Sequence, residues 1–482
     1  MGVGICQRLL SRHCFTKRGK LLARVKITRE NRRDHMLTTS MYRLIPAMAL
    51  PTVMSSVINQ IYNLADTYFV SQIGTLATGA VGINASLDQM INIVGVFFAM
   101  GAGSYISRLL GAKDEKRAQQ VFATTIAVSF VFGLLVLIIG KIYVVPLVRF
   151  LGAIPEIENY AVDYANYVLY AAPFMATQLV LNHSLRSEGS ALYALIGITL
   201  GGVLNCGLDP LFIFVLDMGV KGASIATALS KLASFTILLI PYLRKKTLIQ
   251  INLKCISFSK TIVSEVCKMG APGLFRSGLQ VLAAIMMNRI AGAQFSAATL
   301  AAISVTNRIF MTMRSACLGY SQGFQPVAGF NWGAKQYNRV IEGYKFTAKS
   351  LVIGISIIGG VMFIFAPAVI GAFTTTDAEM LRIGTLALRT QCITLPFNAW
   401  SIVVNSLYSG TGRATGAMVI SCTRQGFCFY PLVLTLPRFL GLNGLVAVQP
   451  GAEVLSVAIT IPLAISMLRR LRKLEDGEIL IR

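Results

Sequence analysis

The chain has 482 residues, of which 44 are Lys or Arg and 20 are Asp or Glu, so its formal net charge is +24. Only 13% of the residues are charged, and 55% are hydrophobic. Because soluble proteins carry about 25% charged residues, a chain with half that share cannot cover its surface in water. The composition excludes a soluble enzyme, a coiled coil and a disordered regulator. The positive charge alone would suggest a nucleic-acid partner, but the high apolar fraction is the stronger evidence and indicates a membrane protein.

Twelve mainly apolar stretches follow one another along the chain, and each is long enough for a membrane-spanning helix, which takes about 20 residues. We number them spans 1 to 12; their predicted cores are 44–69, 78–106, 118–140, 161–183, 191–215, 222–243, 266–290, 297–324, 346–371, 383–407, 414–436 and 442–467. The joints are short, so no room remains for a soluble catalytic domain. The predicted fold is an all-α integral membrane protein with twelve transmembrane helices.

Positive charge is concentrated in alternate joints. The basic segments are the N-terminus, 108–117, 244–260, 335–345 and 469–473. The intervening joints, such as 71–75 and 291–294, contain no Lys or Arg. By the positive-inside rule both termini are expected in the cytoplasm, with the protein in the cell membrane.

Residues 1–38 form a basic N-terminal extension, with ten Lys and Arg against one Asp and one Glu. Such an Arg-rich leader is typical of an organellar presequence, of a cytoplasmic anchor for anionic lipids, or of upstream sequence translated from a misassigned start. We favour the third interpretation because Met36 lies directly before span 1. Residues 1–35 would then be absent from the native protein.

The two halves of the chain match each other at an offset of about 222 residues. The aligned segments are 110–113 (LGAK) with 332–335 (WGAK), 172–174 (APF) with 395–397 (LPF), and Asn182 with Asn405. Each half holds six spans, so the two copies have the same orientation, as in secondary transporters built from parallel repeats. We predict an N-terminal lobe over 39–243, a cytoplasmic linker over 244–260, a C-terminal lobe over 261–468 and a cytoplasmic tail over 469–482.

Two acidic residues lie inside predicted spans, where an ionisable group is costly and therefore a candidate for function. Asp66 lies toward the outer end of span 1, and Asp209 lies toward the outer end of span 5. Asn205 precedes Asp209 by four residues, so both project from one helix face, and Pro210 frees a backbone carbonyl. These oxygen atoms could bind a small hard cation or share a proton.

Other polar and flexible side chains in the spans are weaker candidates. The residues that could line a central cleft are Asp88, Asn92, Gln280, Met286 and Met287. Five arginines also lie in or near the C-terminal spans, namely Arg276, Arg308, Arg314, Arg389 and Arg424. A cationic cleft would repel cationic substrates, so we expect these arginines to turn into the packing of the lobe.

Several motifs resemble the multidrug and toxic compound extrusion (MATE) transporters, from about residue 44 to residue 471. They are 61–67 (IYNLADT), 107–112 (SRLLGA) and 322–331 (QGFQPVAGFN). Spans 7 and 10 lack the acids of NorM-type members, so the chain looks like the DinF-like and MepA-like branch. That resemblance implies twelve helices in two six-helix lobes and efflux of drug-like, often cationic, organic compounds in antiport with H⁺ or Na⁺. It places the coupling site, with possible Na⁺ binding, at Asp66, Asn205, Asp209 and Thr227.

Two other classes of function stay open. One is a flippase for lipid-linked saccharides on a related scaffold, expected to have a more cationic cleft and extra spans. The other is a membrane enzyme or receptor without transport activity, although no phosphate-binding loop or His-Glu-x-x-His motif is present in the sequence. We expect no cofactor beyond the coupling ion, and a monomer whose partners are organic small molecules and the lipid bilayer, with no nucleic acid.

Overall fold

The computed structural model describes residues 29–373 and 378–478, and these residues form helices and turns with no β-strand. The helices that contain the predicted spans 1 to 10 are Met41–Ser71, Thr75–Gly111, Glu115–Ile142, Pro155–Ser187, Ala191–Pro210, Gly219–Leu243, Lys260–Gln294, Ala297–Gly333, Tyr337–Gly371 and Ala378–Gly410. Two short helices, Arg29–Thr38 and Val144–Phe150, flank spans 1 and 3. The twelve-helix fold predicted from hydropathy is confirmed.

Two spans contain π-helical turns, in which the backbone hydrogen bonds are locally displaced. Span 5 continues beyond Pro210 through the π turn Leu211–Val215. Span 11 begins as Ala414–Cys422, passes through the π turn Thr423–Phe427 and continues into Phe429–Glu475. Gly441, at a positive φ of 56°, breaks that last helix and separates span 11 from span 12.

Within the described residues, seven helical stretches are long and apolar enough to cross a membrane, and the last, 414–475, covers spans 11 and 12. Spans 4, 7, 8 and 10 are outside this set. Span 4 buries 19 of its 33 residues and span 10 buries 20 of 33, whereas span 3 buries only 9 of 28. The more polar spans 4 and 10 therefore lie inside the bundle, and the strongly apolar span 3 faces lipid.

The repeat is visible as matched backbone geometry. Asn182 donates from Nδ2 to the carbonyl of Ala194 at 3.0 Å, and its counterpart Asn405 donates to the carbonyl of Ala417 at 2.9 Å. The turns after the aligned helices also match, since Gly189 and Gly412 adopt φ values of 80° and 79°. We call spans 1–6 the N-lobe and spans 7–12 the C-lobe.

The two lobes touch most closely at the basic ends of spans 2 and 8, and the contact is reciprocal. A Cβ added to Gly111 would lie 2.1 Å from the carbonyl oxygen of Phe330, and one added to Gly333 would lie 2.0 Å from that of Arg108. Arg108 also forms an ion pair with Glu265 of span 7 at 3.1 Å. Glycine is required at both positions because backbone, which cannot rotate away, fills the space a side chain would need. The bundle is therefore closed at its basic end.

Part of the basic N-terminal segment packs onto this closed end. Arg33 donates to the carbonyls of Leu110 and Gly111 at 3.1 and 3.0 Å, and Met36 is buried. Residues 1–28 lie outside the described residues, so the interpretation of the extension as a misassigned start stays a prediction. The segment from Arg32 to Thr38, however, forms contacts with three different joints of the bundle.

The linker after span 6 is bound to the N-lobe through one buried carboxyl group. Glu188, in the joint between spans 4 and 5, accepts the backbone N–H of Leu248 at 2.7 Å and that of Ile249 at 3.4 Å. Two opposing effects act on the pKa of Glu188: burial raises it, and the hydrogen bonds from the linker lower it. Burial has the larger effect, so the pKa rises to about 8. The protonated form is therefore favoured in the folded protein.

This raised pKa predicts a pH-dependent stability. A carboxyl group with a raised folded-state pKa contributes fully below its ordinary pKa of 4.5 and loses that contribution as the pH rises toward 8. Thermal unfolding of the protein in lipid nanodiscs, followed from pH 5 to 8.5, should show the wild type losing stability relative to Glu188→Gln, which is neutral throughout. Parallel stability profiles for the two proteins would contradict this assignment.

Candidate functional site

A cavity of about 820 Å³ lies in the half of the bundle away from the closed basic end. It is lined mainly by side chains of spans 1, 2 and 4, with additional residues from spans 5, 6 and 8. Its polar lining comprises Ser55, Ser56, Asn59, Tyr62, Asn63, Asp66, Asp88, Gln89, Asn92, Tyr164, Gln178, Arg186, Lys231 and Arg308. The volume is in the range of known small-molecule sites, about 300–1,000 Å³.

Two carboxyl groups and one ammonium group face each other across this cavity. Asp66 and Asp88 each interact electrostatically with Lys231, and Asp66 also interacts with Asp88. Lys231 donates from Nζ to the hydroxyl of Tyr62 at 2.8 Å. Among the described residues, Asp66 Oδ1 and Asp88 Oδ1 are buried without a hydrogen-bond partner. With both acids ionised the cluster carries one net negative charge, so it is suited to take up a proton or a monovalent cation.

The second predicted acid lies behind this cluster, at the point where span 5 becomes irregular. Asn205 donates from Nδ2 to Asp209 Oδ1 at 3.1 Å, as their spacing of four residues on a helix allows. Asp209 is fully buried, and its Oδ2 and the Oδ1 of Asn205 have no hydrogen-bond partner in the described part of the chain. Pro210 and the following π turn displace the helical hydrogen bonds at the same place.

A buried tyrosine connects the two groups of acids. Tyr164 of span 4 interacts electrostatically with Asp66, Asp88 and Asp209, and its hydroxyl contacts Thr227. Asp209 also interacts directly with Asp66. The three carboxyl groups therefore form one electrostatically coupled cluster, which we call the acid cluster.

Three of the four predicted coupling residues line two separate cavities, and the fourth, Asp209, is in the lining of neither. Asp66 lines the large cavity, whereas Asn205 and Thr227 line a smaller one of about 30 Å³. The residues that line both cavities are Asn59, Tyr62, Gln178, Ile198 and Lys231. The structure thus brings the predicted residues to one region, where Asp66 lines a different cavity from Asn205 and Thr227.

A proton and a Na⁺ ion would need different groups at this site. Across the described residues, no three His, Cys, Asp or Glu side chains lie together in a way that could hold a metal ion. A Na⁺ ion would need oxygens from Asn205, Thr227 or the backbone in addition to the carboxylates. A proton needs only one of the unpartnered carboxylate oxygens.

The other predicted cleft residues have different surroundings. Asp88 and Asn92 line the large cavity with Asp66. Gln280 instead forms hydrogen bonds with Arg314 and Met311 inside the C-lobe. Met286 lines a separate cavity of about 230 Å³, and Met287 is buried in an apolar cluster. None of these three lies in the lining of the large cavity.

The C-lobe arginines were expected to turn into the packing of the lobe, and four of the five line a cavity. Arg308 lines the large cavity. Arg276, Arg314 and Arg424 line a second cavity within the C-lobe. Only Arg389 lies away from both cavities, where it donates to the carbonyl of Phe363 at 3.3 Å and covers its ring. A polar helix face alone does not show whether it meets another helix or an internal cavity.

The sequence did not point to three side chains that surround the acid cluster, namely Tyr62, Tyr164 and Lys231. Lys231 had a usable signal, because it is a lone charged residue well inside the apolar span 6, and such a residue is a candidate by default. Tyr62 and Tyr164 had no such signal, since tyrosine is common in apolar spans.

Two pseudo-symmetric six-helix lobes, joined closely at one end and containing buried ionisable groups beside internal cavities, define a multi-pass membrane protein of the secondary-transporter class. The MatE family model matches residues 51–211 and 272–435, once in each half. The chain belongs to the MatE family.

Among its relatives are multidrug export proteins named MepA. The MepA of Staphylococcus aureus is 24% identical over 406 residues, which cover 84% of this chain and 89% of that protein. The MepA of Staphylococcus saprophyticus is 25% identical over 443 residues, covering 92% and 97%. A solved structure of a multidrug resistance MATE family transporter of the MOP superfamily, in an outward-facing conformation, superposes with a TM-score of 0.86 at 24% identity, covering 91% of this chain and 98% of that one.

Proposed function

We propose that this protein is a multidrug efflux antiporter, which exports organic compounds in exchange for H⁺ or Na⁺. The observation that carries the proposal is the acid cluster, in which Asp66 and Asp88 line a cavity large enough for a drug-sized molecule and each has a buried carboxylate oxygen without a partner among the described residues. The similarity to MepA export proteins supports the substrate class.

The ion acts by changing the charge of the acid cluster. When Asp66 or Asp209 takes up a proton or binds Na⁺, the cost of burying a carboxylate falls, and a conformation that encloses the cluster becomes more favourable. An ion shifts the equilibrium between two conformations only by its difference in affinity for them. The coupling therefore requires that the cluster be more enclosed in one conformation than in the other.

The sidedness follows from the charge of the joints. We place both termini, the linker 244–260 and the closed basic end in the cytoplasm, because positive joints stay inside. The large cavity then faces the outside, and this conformation is the one that releases substrate and receives the ion. We retain 39–243 and 261–468 as the two lobes that move relative to each other.

The test is transport by the purified full-length protein in proteoliposomes. We expect a fluorescent organic compound to be moved against its gradient when a pH gradient or a Na⁺ gradient is imposed, and not when both gradients are abolished. Transport that continues without any ion gradient would contradict antiport. No transport of any organic probe under either gradient would contradict the proposed function.

A lipid-linked saccharide flippase is the second candidate. Such a protein is expected to have a cationic cleft, and the C-lobe cavity contains three arginines. The twelve spans of the described residues include no extra pair. Translocation of a polyprenyl-linked sugar without net movement of the fluorescent compound would favour this candidate over efflux.

A further inference from the structure

The C-lobe contains a second polar cavity in which positive charge is not balanced. Its lining includes Arg276 of span 7, Arg314 of span 8 and Arg424 of the π turn in span 11. The guanidinium group of arginine stays protonated in proteins, so all three side chains are charged. We call this space the arginine pocket.

One carboxylate partly compensates these charges, and both of its oxygens are already used. Glu453 of span 12 pairs through Oε1 with Arg424 Nη1 and accepts from Asn398 Nδ2 through Oε2 at 2.8 Å. Arg314 has only the side-chain oxygen of Gln280, at 3.0 Å, and the sulfur of Met311. Arg276 has only a long contact of 3.7 Å to the sulfur of Met100. Glu453 also interacts electrostatically with Arg314, but within the described residues neither Arg276 nor Arg314 forms a hydrogen bond to a carboxylate.

Several donors in the pocket are buried and unused. Arg314 and Arg424 are 3% and 7% exposed, yet Arg314 Nε and Arg424 Nη2 have no hydrogen-bond partner among the described residues. Ser401 and Ser456 also line the pocket, and their Oγ atoms are likewise buried without a hydrogen-bond partner among the described residues. A buried charge without a partner is strongly unfavourable, so these donors require an anion or ordered water.

The shape of the pocket limits what it can hold. The free space measures about 40 Å³, enough for a few water molecules or one small charged group but too small for a whole drug molecule. Planar guanidinium groups match carboxylate and phosphate groups through paired hydrogen bonds. A cationic group is excluded by repulsion from the three arginines.

The pocket adjoins the transport pathway. Gln322, in its lining, accepts a hydrogen bond of 2.7 Å from Arg186, and Arg186 lines the large cavity. A molecule in the large cavity could therefore extend an acidic group toward the C-lobe.

We propose that the arginine pocket binds an oxyanion group, a carboxylate or a phosphate, carried by the exported organic compound. This rests on the proposed efflux function and narrows its substrates to anionic and zwitterionic compounds, in place of the organic cations that the family resemblance implies. The N-lobe supplies the ion-coupling acids, and the C-lobe supplies the charge that selects the substrate.

The first test measures binding at equilibrium by the full-length protein in nanodiscs, without an ion gradient. The probes are benzoate, phenyl phosphate, benzyl alcohol as the neutral analogue and benzylamine as the cationic one. We expect the two anions to bind at least 10-fold more tightly than the alcohol, and the amine not to bind. Equal binding of benzylamine and benzoate would overturn the proposal, and this comparison needs no variant.

The second test uses matched variants. Arg276→Met removes a charge without leaving an acid unpaired and is expected to weaken anion binding at least 10-fold, whereas Arg389→Met, outside the pocket, should bind like the wild type. Unchanged binding by Arg276→Met and by Arg314→Met would show that the pocket holds only water.

Two further probes distinguish the source of the oxyanion. The claim that the group belongs to an exported organic compound would be overturned by either of two results. One is that inorganic phosphate binds as tightly as phenyl phosphate. The other is that farnesyl phosphate binds whereas benzoate and phenyl phosphate do not. If anions bind but no probe is transported, the efflux function fails and the pocket stands. If cations are exported and no anion binds, the efflux function stands and the proposed anion site fails.

Discussion

Asp66→Asn and Asp209→Asn are each expected to reduce gradient-driven efflux to the background of empty liposomes, a loss of about 100-fold or more. A carboxamide resembles a carboxylate in size, but it neither takes up a proton at physiological pH nor attracts Na⁺ with a full charge. Because the three acids interact within one cluster, neither residue can replace the other. The measurement is uptake of a fluorescent compound by proteoliposomes under an imposed ion gradient.

The matched control for these variants is Asp163→Asn. Asp163 lies in the same lobe but forms a half-exposed ion pair with Lys221 at 3.4 Å, away from the large cavity. Exposed pairs contribute about 0–1 kcal/mol, so this variant should fold and transport normally. If both Asp66→Asn and Asp209→Asn transport fully at normal protein yield, the acid cluster does not take part in ion coupling.

The second large effect is expected from the glycines at the closed end. Gly111→Val or Gly333→Val would introduce a branched side chain whose Cβ would lie only 2.1 or 2.0 Å from backbone of the opposite lobe. Overpacking costs about 1–3 kcal/mol, and more where backbone must move. The lobes should separate at the basic end, and transport should fall at least 10-fold.

Labelling distinguishes this effect from misfolding. Ser107 is buried at the same interface, so a Ser107→Cys reporter should react slowly with an impermeant maleimide in the parent protein and quickly in the Gly111→Val background. Gly354→Val, where an added Cβ meets no atom within 4 Å, is the control. Normal transport and unchanged labelling with Gly111→Val would show that the close contact of the lobes is not needed.

Much of the fold could be predicted because hydropathy and repetition are local properties of a sequence. The apolar spans appear as continuous stretches, and the repeated LGAK and WGAK segments align two joints with nearly equal backbone geometry, Lys113 and Lys335 having φ values of 66° and 60°. The Asn205 and Asp209 pair could be inferred from its spacing alone.

The surroundings of the polar residues could not be predicted in this way. Met286 and Met287 are adjacent on a helix, so they point in different directions, and only the packing shows that one is buried in an apolar cluster. Arg424 lies in a π turn, which shifts the helical register that a periodicity argument assumes. Asp66 lines a different cavity from Asn205 and Thr227, and residues that line both, such as Tyr62 and Lys231, meet only in the folded protein.

The most direct test of the account is whether substrate movement drives ion movement through the acid cluster. Proteoliposomes that contain a pH-sensitive dye, or that are placed in radioactive Na⁺, would be given a substrate gradient with no initial ion gradient. Export of substrate should move H⁺ or Na⁺ in the opposite direction in the wild type, and this ion movement should be absent with Asp66→Asn. Substrate movement without any accompanying ion flux in the wild type, or an unchanged ion flux in the variant, would contradict the account.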